Sequence, residues 1–433
     1  MTRSSKRDAV AAESLDYQHH VALVLLQQAH SSGDLPGLDQ GVAMLRRVAA
    51  VTADSGRRAV VLSDLGNALC MRYALSHDAA DLNLSVEVGR QAVAAAPAGH
   101  PHHEATLTNL SIAMLTRYKL TGAAGDLGTA IDTSRKAVSE PRLPGRPSSR
   151  SLFIHWDALW RRSDRTGRLA DLEAAITVGR RAMAALGRDH LNRADGLCDL
   201  ATALRRHFEQ TAHLPSLVEA AETGRLAVRE APSGDDIGQA RILTGLGNVL
   251  RMLSHATADR SAAQEALQVS RLAVRKASSA SADFRSGCLS NLSSALLEHY
   301  SHTKSRRELD EAIGRAREGL ALSDSSPSHF NSLSGALLVR FERTGKRADI
   351  DSAVDAARKA VGAGPADDRE LAGYLQNLGT ALLKRWILAH DPADADEALD
   401  ACRRALAATP AGHPALDWRR TIFADAQLAS LVR

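Results

Sequence analysis

Aromatic residues are scarce in this chain: Phe, Trp and Tyr together make up 3% of its 433 positions. Sheet cores draw on aromatic and β-branched side chains, so this scarcity argues against a β-sandwich. It favours close-packed helices built from Leu, Ala and Val. Cysteine is scarce too. Cys70, Cys198, Cys288 and Cys402 lie far apart with no paired spacing, which excludes a zinc motif or a disulfide framework. They read as small thiols inside helical stretches, in a reduced cytoplasmic setting. The apolar run Val21–Leu26 is too short for a signal core or a membrane span.

Charge of one sign is also missing. Lys and Arg number 54 against 50 Asp and Glu, a formal charge of +4, with the two signs interspersed. A nucleic-acid binder shows a basic stripe or tail, so that partner class is disfavoured. No HExxH, GxSxG, Walker loop or GxGxxG occurs. The clusters His19–His20, His100–His102–His103 and His299–His302 lack the fixed spacing of three or four ligands. The expectation is therefore no metal, no cofactor and no catalysis.

What the chain has is a period of about 45 residues, seen nine times. Arg46, Arg90, Arg135, Arg180, Arg225, Arg271, Arg317, Arg358 and Arg403 mark it, at intervals of 44, 45, 45, 45, 46, 46, 41 and 45. A second landmark keeps the same rhythm: Ser32, Ser76, Thr121, Thr166, Thr211, Thr257, Thr303, Thr344 and Ala389. A fixed period of this size means a stack of one supersecondary unit.

One unit shows what that is. Leu62, Leu65, Ala68, Leu69 and Tyr73 recur at helical spacing, a turn follows at Ser76–Asp78, and Leu82, Val86, Gly89, Ala92 and Val93 form a second helical face. Pro97 and Gly99 stop the second helix. Each copy is thus a hairpin of helix A, turn and helix B. The slot of Gly66 holds a small residue in Ala22, Ser111, Ala201, Gly247, Ser293, Ser334 and Gly379. So does the position before the recurring arginine in every copy except that of Leu45. Small residues let helix backbones approach closely. Asp126, Asp171 and Asp349 sit near the start of helix B, where a carboxylate caps amides and meets the positive end of the dipole.

These residues carry a resemblance. The run Leu62 to Leu69 (Leu-x-x-Leu-Gly-Asn-Ala-Leu), Arg72–Tyr73, Asp81–Leu82, Gly89–Arg90–x–Ala92–Val93 and Pro97–x–Gly99–His100–Pro101 resembles tetratricopeptide (TPR) repeats. The likeness is greatest to the long-period repeats of actinobacterial proteins that often precede caspase-like CHAT domains. It covers roughly residues 15 to 415; about one further helix is expected after His413, without an effector domain of that kind. The implied fold is an all-α solenoid of nine TPR-like hairpins. A tail at 1–14, a single repeat array at 15–415 with a hinge at 140–148, and a capping helix at 416–433 are expected.

The resemblance implies binding of a protein or peptide on the concave face of helices A, as a scaffold or adaptor. Two rows on helix A are candidates. One is basic: Arg72, Arg117, Arg162, Arg340 and Arg385. The other is polar: Asp64, Asn109, Asp199, Asn291 and Asn377, with Asn67 and Asn248 three residues on from that slot. Asparagine can clamp a peptide backbone as donor and acceptor. The nine recurring arginines, set between small and apolar neighbours, read instead as structural fasteners of each hairpin. One copy breaks the pattern: His155 and Trp156 replace the leucine and the small residue, and Trp160 follows. This makes a ligand-sensing pocket at His155–Trp160 the alternative function. A stack with an exposed apolar end could also self-associate.

Overall fold

The structure is a computed structural model that describes residues 3–140, 147–187, 190, 192–323, 326–364, 370–409 and 411–432, with side chains from residue 14 onward. Among the described residues the secondary structure is nineteen α-helices and one 3-10 turn, without a strand. The chain forms two compact units, residues 1–186 and 187–433. Most of the hinge expected at 140–148 lies outside the described residues, and the boundary between units falls later. The segment read as an N-terminal tail is helical from Arg3.

The first unit holds four hairpins. Its A helices are α1 (Arg3–Ser32), α3 (Ser55–Ser76), α5 (His103–Thr121) and α7 (Ser149–Thr166); its B helices are α2 (Leu35–Val51), α4 (Ala79–Ala95), α6 (Ala124–Ser139) and α8 (Leu169–Ala185). The second unit holds five hairpins. Its A helices are α9 (Arg193–Thr211), α11 (Asp236–Thr257), α13 (Ala282–Thr303), α15 (Pro327–Thr344) and α17 (Leu371–Ala389). Its B helices are α10 (Leu214–Glu230), α12 (Arg260–Lys276), α14 (Arg306–Leu322), α16 (Arg347–Ala363) and α18 (Pro392–Ala407), and α19 (Leu416–Leu431) ends the stack. The short 41-residue interval is absorbed in α15, which is 18 residues long where α13 has 22.

The turn landmark has a local cause. Immediately after it, all nine hairpins place a residue in the left-handed region: Gly33, His77, Gly122, Gly167, Ala212, Ala258, Lys304, Gly345 and His390, with φ between 51° and 70°. The landmark hydroxyl then accepts the amide two residues on, as in Ala123 N to Thr121 Oγ1 (3.2 Å) and His213 N to Thr211 Oγ1 (3.2 Å). The hydroxyl satisfies an amide that the broken helix leaves without a partner. Glycine suits the next position because it has no β-carbon.

The small residues set the packing distance. On helix B the small position seats the leucine of the following helix A: a β-carbon at Gly89 would stand 3.1 Å from Leu110 Cδ1, and one at Gly224 3.0 Å from Leu246 Cδ1. On helix A the small slot lies against the helix B of its own hairpin. There Ser293 and Ser334 donate to the carbonyls of Ala312 and Ala353 (both 2.9 Å), and Ser85 returns the contact to Gly66 O at 2.8 Å. The cores are Leu and Ala throughout, for example Leu38, Leu45, Leu65 and Leu69 in the first unit and Leu296, Leu337, Leu382 and Ala398 in the second. In the second unit the link before α19 rests on the end of α9, where any β-carbon at Gly412 would collide with the Gln210 carbonyl.

Ala212 and Ala258 hold left-handed backbone without the freedom of glycine. Ala212→Gly and Ala258→Gly are each expected to stabilise the protein by about 0.5–1 kcal/mol, the relief of left-handed strain exceeding the entropy gained by the unfolded chain. Urea titration checks this, and a fall in midpoint for both variants would refute it.

Candidate binding surface on the A helices

Successive A helices pack directly on one another in each unit (α3 on α5, α11 on α13, α15 on α17), in addition to the contacts within and between hairpins. Short polar side chains cross from A to A, alongside longer ion pairs such as Lys119–Asp157 (3.8 Å), Lys384–Glu342 (2.9 Å) and Arg241–Asp195. Asn109 donates to Ser63 Oγ (2.7 Å), Thr108 meets Ser151 (2.9 Å), Ser290 meets Ser332 (2.7 Å) and Asn377 donates to Asn331 Oδ1 (2.8 Å). B helices are joined across hairpins by long pairs, Arg225 to Glu265, Arg271 to Glu311 and Arg358 to Glu397, and do not pack directly on one another as the A helices do among the described residues. The tighter spacing of the A row curves each stack, with the A helices on the inner side.

The polar row of helix A therefore lies along an inner seam, and much of it is engaged there. Asp64 is paired with His19 (2.8 Å), Asn109 and Asn377 belong to the A-to-A ladder, and Asp199 lies 3.9 Å from Arg241. Asn67, Asn248 and Asn291 are half-buried and make no side-chain hydrogen bond among the described residues.

The basic row does something else. Arg72, Arg117, Arg340 and Arg385 each grip an aspartate nine residues on, at the start of helix B, through Nε and Nη2. For Arg117–Asp126 the distances are 2.8 and 2.6 Å, for Arg340–Asp349 2.9 and 2.6 Å, and for Arg385–Asp394 2.8 and 2.6 Å; Arg72–Asp81 has the same form. Arg162 Nε stands 2.8 Å from Asp171, which also accepts from Thr166. Asp81, Asp171, Asp349 and Asp394 are buried. Asp126, Asp171 and Asp349 were expected to cap amides; they take the helix A guanidinium instead. Several arginines also reach the preceding B helix, Arg72 to Asp39 at 2.9 Å and Arg385 to Asp351 at 3.7 Å, so one side chain ties three helices.

The helix A row thus takes the fastening role that was expected of the helix B row. The helix A row closes each hairpin and is turned toward its own Asp. The helix B row is exposed except at half-buried Arg225, and it bridges neighbouring hairpins where a Glu is in reach. Arg46, Arg90, Arg317 and Arg403 carry no ion pair among the described residues. Exposed pairs of this kind contribute at most about 1 kcal/mol each.

The irregular copy is packed shut. Trp156 is 4% exposed and meets Phe153 edge-on at 5.4 Å; its Nε1 has no hydrogen-bond partner. His155 is 7% exposed, and its Nδ1 lies 2.9 Å from Ser134 Oγ. That is the contact other copies make between a leucine and a small residue. Burial and the nearby Arg135, Arg162 and Arg181 push the His155 pKa down to about 4.

Two cavities lie elsewhere. One, of about 350 Å³, opens between α17 and α19 and is mostly apolar, lined among others by Leu383, Trp386, Ile387, Ile422 and Leu428. The other, of about 510 Å³ in the first unit, has a mixed lining that includes Asp16, His19, Asp54, Arg57, Val60, His100 and His102. Among the described residues no group of three or more His, Cys, Asp or Glu converges as metal ligands would. All four thiols are pushed up by burial, Cys198 and Cys402 to about 11, so none is poised as a nucleophile. Among the described residues no helix is long and apolar enough to cross a membrane.

Sequence reasoning passed over Arg205 and Arg251. They occupy the inner slot that carries Leu115, Leu297, Leu338 and Leu383 in other hairpins, and that break in an otherwise apolar column was the available signal.

No protein-family model matches the chain, and no curated protein matches it. Solved structures do. The apo form of RapI aligns over 90% of this chain and 97% of its own, with a TM-score of 0.53 at 12% identity. A thermophilic TPR protein from Thermus thermophilus covers 54% of this chain and 99% of its own (TM-score 0.38, 18% identity). One from Parabacteroides merdae covers 73% and 98% (TM-score 0.43, 13% identity). The Thermus and Parabacteroides neighbours are TPR repeat proteins, and the fold is an all-α, TPR-like solenoid.

Two outcomes follow from the geometry. Arg385→Met leaves Asp394 buried without its partner and is expected to cost about 3–5 kcal/mol, while the double change Arg385→Met with Asp394→Leu recovers most of it. A double-mutant cycle by chemical denaturation measures this; additive losses would show that the pair is not coupled. The second concerns acid. His155 is neutral when folded down to about pH 4 but protonates near 6.5 when unfolded. The unfolded chain then binds the extra proton, so stability falls as the pH drops through that window, by up to about 3 kcal/mol. His155→Leu restores the apolar slot and is expected to flatten this slope in melting curves from pH 7 to 4.5. An unchanged slope would refute the assignment.

Proposed function

We propose that this chain is a non-catalytic scaffold that holds a protein or peptide segment against its A helices. The reading is carried by the inner seam. A constant framework of short polar pairs leaves Asn67, Asn248 and Asn291 with hydrogen-bonding groups turned to no internal partner. Half-buried amides of this kind are donors and acceptors ready for an extended backbone. At the end of the second unit the apolar cavity between α17 and α19 can take a large aliphatic or aromatic side chain. Within the second unit, Asn248, Asn291 and this cavity suit a segment held by its backbone and selected by an anchor. The alternative, a sensor with a pocket at His155–Trp160, is disfavoured by the burial of both His155 and Trp156. A setting inside the cell and the absence of a catalytic cycle belong to the same proposal.

Panning a peptide library on the full chain, then measuring the selected peptides by fluorescence anisotropy, tests it. Asn248→Ala with Asn291→Ala is expected to weaken binding about 5- to 50-fold, and Arg317→Ala on a B helix to change it by less than about twofold. Peptides that lose affinity only with the B-helix substitution would overturn the assignment of the surface.

A further inference from the structure

On α11 of the second unit a charge stands at a slot where the other hairpins carry an apolar side chain or, at Arg205, a paired one. Arg205 and Arg251 replace the leucine found at the same inner slot in α5, α13, α15 and α17. Arg205 is closed on Glu209 one turn along its own helix. Arg251 makes no hydrogen bond and no ion pair among the described residues; its Nε is shut off from water with no acceptor, while the side chain as a whole is half-buried. Acidic groups are near but engaged. Glu298 takes a hydrogen bond from Ser254 (2.8 Å) and lies 3.8 Å from His302 and 3.7 Å from His255. Glu209 is held by Arg205, and Glu370 carries interactions of its own.

A guanidinium stays charged in a protein and presents five donors. Burial lowers the Arg251 pKa from the ordinary arginine value, which records the cost of keeping that charge out of water. An uncompensated buried charge destabilises a fold. The leucines of the other hairpins show that the architecture has no need of a charge at this slot. We infer that Arg251 is the docking point for a single carboxylate on a peptide bound along the inner face of the second unit, an inference that rests on the scaffold reading above. The fork of a guanidinium matches a carboxylate edge to edge. Glu209, Glu298 and Glu370 lie in electrostatic range and oppose a second negative charge, which favours a carboxylate over a phosphate dianion.

The test uses the full chain and its variants Arg251→Leu and Arg251→Lys. Leucine fills this slot in the next three hairpins (Leu297, Leu338 and Leu383), so Arg251→Leu is expected to raise the melting temperature by a few degrees. A lowered melting temperature would show that the arginine is structural and overturn the inference. At fixed ionic strength, acetate is expected to protect the wild type beyond chloride and beyond inorganic phosphate, and to lose that effect in Arg251→Leu. Equal protection of both proteins, or stronger protection by phosphate, would overturn it. Arg251→Lys keeps the charge without the fork and is expected to retain only part of the acetate effect; full retention would overturn the edge-to-edge assignment. Peptides chosen by panning are then compared as free acid, as amide, and with Asp or Glu replaced by Asn or Gln. Loss on amidation assigns the C-terminal carboxylate and loss on acidic replacement assigns a side chain; either comes with a drop of about tenfold or more in Arg251→Leu. If acetate protects but no peptide binds, the carboxylate site stands and the scaffold reading fails. If peptides bind Arg251→Leu unchanged, the scaffold reading stands and this inference fails.

Discussion

Most hairpins are closed on a carboxylate at the first turn of helix B. Asp81, Asp171, Asp349 and Asp394 are shielded from water, and a carboxylate in that position is tolerated only with a fixed cationic or hydrogen-bonding partner. The arginine of helix A supplies it from nine residues upstream and so sets how the chain reverses. The matching holds even where the chemistry changes. His207 faces Ser216 (2.9 Å), and His299 faces Glu308 (3.0 Å), which also accepts from Thr303. In α11 and α12 the same two slots hold Leu253 and Ala262, apolar against apolar. None of these copies places a charge opposite a hydrocarbon. The helix dipole adds to this, because an acidic group in the first turn of helix B meets its positive end.

Closing the hairpin in this way fixes what is left for the two surfaces. With the turn held by the Arg–Asp grip and the middle by a small residue, neighbouring A helices come close enough for Ser, Thr and Asn to bridge them. B helices stand farther apart, and long Arg–Glu pairs span the distance. Short bridges are stiff and partly shielded; long exposed ones are screened by salt and cost side-chain entropy.

Local features were legible in the chain and long-range ones were not. The turns could be read because their cause is local: a Thr or Ser hydroxyl two residues before the amide it accepts, and a left-handed residue between them. The small slots could be read because any large side chain there would part the helices. The two arginine rows have the same period, so periodicity alone could not assign their roles. The deciding fact was the aspartate nine positions after Arg72, Arg117, Arg162, Arg340 and Arg385. That spacing means contact only once the chain is known to reverse between them. Asn109 looked free on its own helix because its acceptor, Ser63, lies 46 residues away on another. Trp156 looked like an exposed anchor because neither the room around it nor its contact with Phe153 has a signature in the linear pattern.

The distinction between satisfied and unsatisfied groups bears directly on function. A repeat stack has little use for a polar side chain that has no partner, since each such group costs free energy that a leucine or alanine in the same slot would not. Internal repetition supplies the comparison within a single chain: the copies show which residue the architecture tolerates at each slot. At the slot of Leu115 and Leu338 the fold accepts leucine, so the guanidinium of Arg251 is not required for packing. Asn248 lies three residues before it, nearly one turn along α11, and its amide is also unengaged among the described residues. Two groups that the framework does not use stand together on one inner helix, one able to hold a backbone and the other a negative charge. That conjunction, rather than the regular arginine ladder, is where the chain departs from mere repetition.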